Sequence, residues 1–161
     1  MQLRRDDSVL EIGPGAGLAL ELMAVRVRTL TAVERSGAML KRVQERMRGH
    51  KNFHSIGGDL LKVDLKDWHF TVVFACNVSG FLTNENMFPA LLPHLTRDAR
   101  VGIFYQNPPG SPVQKLKSML QQLRENAEKN QFIMIEECAM SAMSTPTEGL
   151  IFRPTTGVSM K

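Results

Sequence analysis

The residues with the clearest chemical pattern lie in VLEIGPGAG (Val9–Gly17), an apolar run that ends in three glycines spaced two apart. Gly13 and Gly15 can take positive φ and carry no Cβ, so a ligand can lie directly against their backbone. Gly17 lets the helix that follows pack close to the strand. Free N–H groups in that helix's first turn favour an anionic group. Two ligand classes fit this turn poorly. A dinucleotide fingerprint, G-x-G-x-x-G, needs a glycine three residues after the second, where this chain has Leu18. A G-x-x-x-x-G-K-[ST] triphosphate loop does not occur. What remains is a ligand with a nucleoside at one end and a small anion at the other. LTAVERS supports it by ending an apolar run at Glu34, where a carboxylate can accept both hydroxyls of a ribose.

The elements that must hold these residues alternate along the chain. Strand-like runs cover Ser8–Ile12, Thr29–Val33, Phe53–Ile56, Thr71–Cys76, Ala99–Tyr105, Phe132–Glu136 and, more weakly, Gly149–Arg153. Several are unbroken apolar runs, as expected for strands covered on both faces. Helical patterns lie between them. AGLALELMAV follows the glycines, and SGAMLKRVQERMRG opens on a capping Ser36 and stops at Gly49. NENMFPALLPHL carries prolines that shorten or kink it. In SPVQKLKSMLQQLRENAEKN, Ser111 caps, Pro112 takes the first turn, and Val113, Leu116, Leu120, Leu123 and Ala127 form one stripe. Strand and helix in alternation predict an α/β fold: a doubly wound, mostly parallel, seven-stranded sheet with helices on both faces. LLKVDLKDWHF leaves room for at most a vestigial helix between the third and fourth strands. The chain starts seven residues before the first strand, so the expectation is a reduced helix set without an amino-terminal lid.

Composition bounds the rest. The 161 residues suit one domain over 1–161, with 43% apolar and 22% charged residues. No run of 18 apolar residues occurs and Met1–Asp7 is polar, so neither a membrane span nor a secretory signal is expected, and the predicted location is cytoplasmic. Cys76 and Cys138 read as buried free thiols, and the four histidines show no ligand-like spacing with them, so no metal is expected. The net charge is +4. Its densest basic stretch, Lys41–Lys51, reads either as the solvated face of a helix or as a contact for an anionic polymer.

VLEIGPGAG, AVERSGAML, GGDLLKVDL and FACNVSGF, in this order, resemble the successive motifs of the class I S-adenosylmethionine-dependent methyltransferases. The resemblance covers roughly residues 8–105 and implies a Rossmann-like methyltransferase fold with S-adenosylmethionine as cofactor. It also implies roles. Glu11 and the turn of Gly13, Gly15 and Gly17 would hold the methionine part, Glu34 the ribose hydroxyls, and Arg35 would lie beside the adenosine. Asp59 would accept from the adenine amino group, the Leu60 amide would meet a ring nitrogen, and Asn77 would present its carbonyl to the methionine amino group. Asp59 also reads as a turn residue after two glycines, and Asn77 as a strand terminator. Glu11 inside an apolar strand is costly unless hydrogen-bonded, which favours a site role.

A sulfonium is already a reactive methyl donor, so the protein's task is to place an acceptor in line with it and away from water. No obvious catalytic motif is needed, and none is found. Phe81, His94, Tyr105 and Gln106 are the acceptor-side candidates. NPPG (Asn107–Gly110) follows the fifth strand and reads as a turn. The rRNA adenine dimethylases share VLEIGPG, AVE and GD and carry N-[LI]-P-[YF] after the fourth strand. This chain has Asn77-Val78-Ser79-Gly80-Phe81, with the proline missing and the aromatic displaced by one. The leading expectation is therefore a methyltransferase acting on a small-molecule acceptor, with nucleic acid disfavoured. Alternatives are a non-catalytic S-adenosylmethionine-binding or partner module, a nicotinamide oxidoreductase and an RNA methyltransferase.

Overall fold

The computed structural model describes residues 1–107, 110, 112–140 and 147–155. Seven strands form one sheet in the order β3-β2-β1-β4-β5-β7-β6. They are β1 (Ser8–Ile12), β2 (Thr29–Glu34), β3 (Phe53–Gly57), β4 (Phe70–Cys76), β5 (Leu95–Gln106), β6 (Phe132–Met140) and β7 (Thr147–Pro154). The first five pair in parallel, and β7 runs antiparallel to both β5 and β6. The strand order reverses beside β1, the position where open α/β sheets hold their ligands.

Helices α1 (Leu18–Ala24) and α2 (Gly37–Arg46) cover one face. They bury Leu20, Met23, Val43 and Met47 against Val9, Leu30, Ala32 and Val72. The short helices α3 (Gly80–Thr83) and α4 (Met87–Leu91), a 3-10 turn at Leu92–His94 and the long α5 (Val113–Lys129) cover the other. There Leu116, Leu120, Leu123 and Ala127 pack with Phe81, Phe88, Phe132 and Phe152. The α5 stripe thus lies where its spacing places it. Ser111, Pro108, Pro109 and the side chain of Val113, on which the expected cap, turn and first stripe position rest, lie outside the described residues. Ser36 does cap α2, its hydroxyl accepting from the Met39 amide at 3.4 Å.

No helix separates β3 from β4, in line with the thin connection read from the sequence. β5 and β6 run longer than expected because irregularities hide their ends. β5 shifts register against β4 between Phe70 and Val72, leaving Arg97 and Asp98 exposed between buried Leu95 and Ala99. β6 shifts between Met134 and Glu136, which breaks its alternation. Cys76 and Cys138 are free but only half-buried, not fully buried as expected. No helix among the described residues is long and apolar enough to cross a membrane.

Candidate functional site

The parallel registers bring the strand tips together: Ile12 opposes Val33 and Ala75, and Glu34 opposes Gly57. Main-chain bonds extend this alignment past the strands. The Gly13 amide donates to Val33 at 2.9 Å, Gly58 to Glu34 at 3.0 Å and Asn77 to Phe104 at 2.9 Å. Around these tips lies a cleft of about 370 Å³. Its walls include Gly13, Glu34, Arg35, Asp59, Leu60 and Asn77, six of the nine residues expected to bind cofactor.

Gly13, Gly15 and Gly17 all have positive φ, at 63°, 55° and 77°. A Cβ at Gly13 would stand 3.0 Å from the Val78 side chain across the cleft, so glycine there sets the distance between the tips of β1 and β4. Gly17 answers a different demand: its Cβ would meet Val43 and Arg46 of α2 at 3.3 Å, so it packs helix against helix. Glu34 is buried and binds the turn together. One carboxylate oxygen accepts from the Gly15 amide at 3.3 Å, the other from the Ser36 amide at 2.8 Å. Asp59 accepts from the Leu61 amide at 3.0 Å, forming the turn expected after the two glycines while also lining the cleft.

Glu11 is placed differently. Strand alternation turns it away from Ile12 and toward the face of α1 and α2. It is 3% exposed, its Oε2 has no hydrogen-bond partner among the described residues, and it does not line the cleft. Burial pushes its pKa up to about 8. The nearby Cys76 thiol is raised as well, by burial and by Glu11.

The acceptor-side candidates do not meet at the cleft. Phe81 is fully buried and packs edge-on against Phe88, with ring centroids 5.2 Å apart. His94 lies before β5, at the opposite end of the strands, with Nδ1 3.3 Å from the Trp68 carbonyl. Tyr105 and Gln106 support the loop after β4 instead. The Tyr105 hydroxyl donates to Val78 at 2.8 Å, and burial raises its pKa. Asn77, at φ 59°, exchanges two side-chain bonds with Gln106, at 3.0 and 2.8 Å. The wall beyond Asn77 consists of Ser79, Gly80, Thr83, Asn84 and Met87. In the sequence, Ser79 and Gly80 stand out only as the positions where the proline and aromatic of N-[LI]-P-[YF] are missing, and Thr83, Asn84 and Met87 carry no chemical signature. Among the described residues, none that lines the cleft is aromatic.

Residues 1–101 match the family model of the ribosomal RNA adenine dimethylases. The ribosomal RNA small subunit methyltransferase A of Geobacter metallireducens is 29% identical over 112 residues, 61% of this chain and 41% of that protein. Its counterpart in Syntrophus aciditrophicus is 38% identical over 63 residues, 39% of this chain and 22% of that protein. This chain therefore spans less than half the length of these relatives. A crystal structure of a SAM-dependent methyltransferase from Aquifex aeolicus superposes with a TM-score of 0.79, at 15% identity, over 94% of this chain and 84% of that one. That likeness establishes the Rossmann-like methyltransferase fold.

The family implies S-adenosylmethionine as cofactor, and the chain's residues fit it. Gly13 lines the cleft together with Glu34 and Asp59, and a Cβ on it would stand 3.0 Å from the Val78 side chain, so the bare turn keeps open the space beside two strand-tip carboxylates. The expected small-molecule acceptor, with nucleic acid disfavoured, is overturned, because the relatives matched in sequence are methyltransferases of ribosomal RNA. What misled was the stretch after β4, whose missing proline and displaced aromatic are local departures within a matching series. From the glycine turn through the tips of β2, β3 and β4, that series lies inside the matched residues, and the chain belongs to the ribosomal RNA adenine dimethylase family.

Proposed function

We propose that this chain is the S-adenosylmethionine-binding core of a methyltransferase whose acceptor is an adenine of ribosomal RNA. The observation that carries the reading is the single cleft that gathers Gly13, Glu34, Asp59 and Asn77 at the point where strand order reverses. The cofactor supplies the methyl group as a sulfonium; the chain's own residues bind and orient. Glu34 and Asp59 offer acceptors to a ribose and to an adenine amine, and such charge-assisted bonds are the stronger kind. The side chain of Asn77 is committed to Gln106, so its main-chain carbonyl is the group it offers to an ammonium. Ser79, Gly80, Thr83 and Met87 form the wall on which the acceptor base would rest. One domain over residues 1–161 and a cytoplasmic location belong to the same reading.

Two measurements test it. Calorimetry with S-adenosylhomocysteine is expected to show one site per chain, lost in Glu34→Ala. Transfer of labelled methyl from S-adenosylmethionine to small-subunit ribosomal RNA, appearing as N6-methylated adenosine on nuclease digestion, is expected next. Cofactor binding without transfer to any RNA would leave a binding module and refute the acceptor.

A further inference from the structure

The positive charge of this chain is concentrated in one stretch. Residues 21–51 hold eight of the twenty Lys and Arg and three of the sixteen Asp and Glu, a net +5, so the other 130 residues carry −1. One of those three acids, Glu34, is buried at the cleft, and another, Glu21, is taken up by Arg46 at 2.7 Å. Glu45 is the third, and it is exposed.

The fold gathers these cations along one path. Arg35 is exposed on the rim of the cleft. From there α2 runs about 15 Å at 1.5 Å per residue over its ten residues. Val43 and Met47 hold its inner stripe to the sheet and leave Lys41 and Arg42 in solvent. At its far end a second cluster forms. The Asn52 side chain donates to the carbonyls of Ala24 and Val27, at 2.9 and 3.1 Å, tying the turn before β3 to the turn before β2. That tie joins the turn that carries exposed Arg48 and Lys51 to the turn that carries exposed Arg26 and Arg28.

We infer that this path, from Arg35 along α2 to the Arg26–Lys51 corner, is a phosphate-tracking surface that seats the RNA backbone and leads it to the cleft. The inference rests on the proposed RNA acceptor. The chemistry is sequence-independent: Lys and Arg neutralise phosphates and release counterions, while the choice of base is left to the cleft. A solvated helix face explains Lys41 and Arg42 alone. It does not explain why the turns on both sides of Asn52 are basic as well, or why the remaining surface has no net positive charge to share.

The test compares the wild type with two neutralised variants, K41Q/R42Q/R48Q/K51Q on this path and K115Q/K117Q on the exposed face of α5. Binding of a fluorescent RNA hairpin is followed by anisotropy across a series of KCl concentrations. The fourfold variant is expected to bind at least about tenfold more weakly near 0.1 M salt, with the log–log salt slope reduced by about 3. The α5 variant should keep the wild-type slope. Melting curves and S-adenosylhomocysteine affinity report that fold and cleft are intact in each. An unchanged slope in the fourfold variant overturns the surface, and it does so alone if the wild type still methylates RNA. A wild type that binds S-adenosylhomocysteine but neither binds nor methylates RNA overturns the surface and the RNA reading together.

Discussion

Burial holds the Glu11 carboxyl up to about 8, so near neutrality it is mostly protonated. Its ordinary value is 4.5, and folding therefore favours the protonated form. That contribution to stability is fully present below pH 4.5 and is lost as pH rises through about 8. The loss is on the order of 4 kcal/mol. Glu11→Gln keeps the shape without the charge, so urea unfolding at pH 5 and pH 8 should show a large drop for the wild type and little for the variant. Equal drops would place the titrating group elsewhere. A second residue, Gly80, stands at the position of the aromatic when Asn77 is aligned with the N-[LI]-P-[YF] pattern of the resembled family. A Cβ there would meet the Met87 thioether at 3.2–3.5 Å, a flexible neighbour that can yield. Gly80→Tyr should give the acceptor base a stacking partner and raise kcat/KM on RNA by roughly tenfold, since a base–aromatic stack contributes about 1–3 kcal/mol. An unchanged or lower value would show that the Met87 wall already suffices. These two residues mark what a sequence discloses. Glu34 and Asn77 were conspicuous because each ends an apolar run, whereas Asp59, which follows two glycines, stood out only through the family resemblance of GGDLLKVDL. The cleft wall beyond Asn77 was not legible, because Ser, Gly, Thr and Met carry no distinctive chemistry and line the cleft through shape. Tyr105 was conspicuous for the wrong reason: its hydroxyl supports the Val78 carbonyl rather than meeting an acceptor.

At the scale of elements, the end of the sheet opposite the cleft is held by one buried residue. Asp7 is 4% exposed. It accepts from Thr71 at 2.7 Å, from the Arg4 amide at 2.7 Å and from the Arg100 guanidinium at 2.7 and 2.9 Å. Its carbonyl receives the Arg28 amide at 2.9 Å. The entry to β1, the start of β2, β4 and β5 are thereby pinned to one another. Burial raises the Asp7 pKa, but bonds from Arg4, Thr71 and Arg100 and the Arg100 charge outweigh it, and the net effect is below 3.8. Stability from this group is therefore present above pH 3.8 and is lost as pH falls. Removing one partner of a buried pair strands the other, so Arg100→Met should lower unfolding stability by about 3 kcal/mol. Urea unfolding at pH 7 checks it; a change near zero would show Thr71 and the Arg4 amide to be sufficient. This node is not legible in the sequence, because partners 93 residues apart carry no shared pattern. The strands themselves were legible wherever they are straight and buried on both faces. Their ends were lost where a register shift admits charged residues, as at Arg97 and Asp98 in β5.

For the whole molecule, the two faces and two ends of the sheet divide the work. One end is closed by the Asp7 node, and the other is opened by glycines and strand-tip acids. A ligand held only by the open end binds the folded chain and not the unfolded one, so it must raise the melting temperature by mass action. At a hundred times its dissociation constant, S-adenosylhomocysteine should add about 2.7 kcal/mol. For a domain of this size, that is a rise of roughly 5–10 °C. NAD is the discriminating control. Its pyrophosphate requires a glycine three positions after Gly15, and there Leu18 instead begins α1 with 66% of its surface exposed. NAD should therefore leave the midpoint unchanged at the same concentration. The prediction depends on the arrangement of the whole open end, since Gly15, Glu34 and Ser36 form one bonded unit and Asn77 is fixed from β5. Loosening either support should shrink the shift in step with affinity. A shift with NAD and none with S-adenosylhomocysteine would instead mean that the cleft accepts a pyrophosphate despite Leu18, and the cofactor assignment would fall with it.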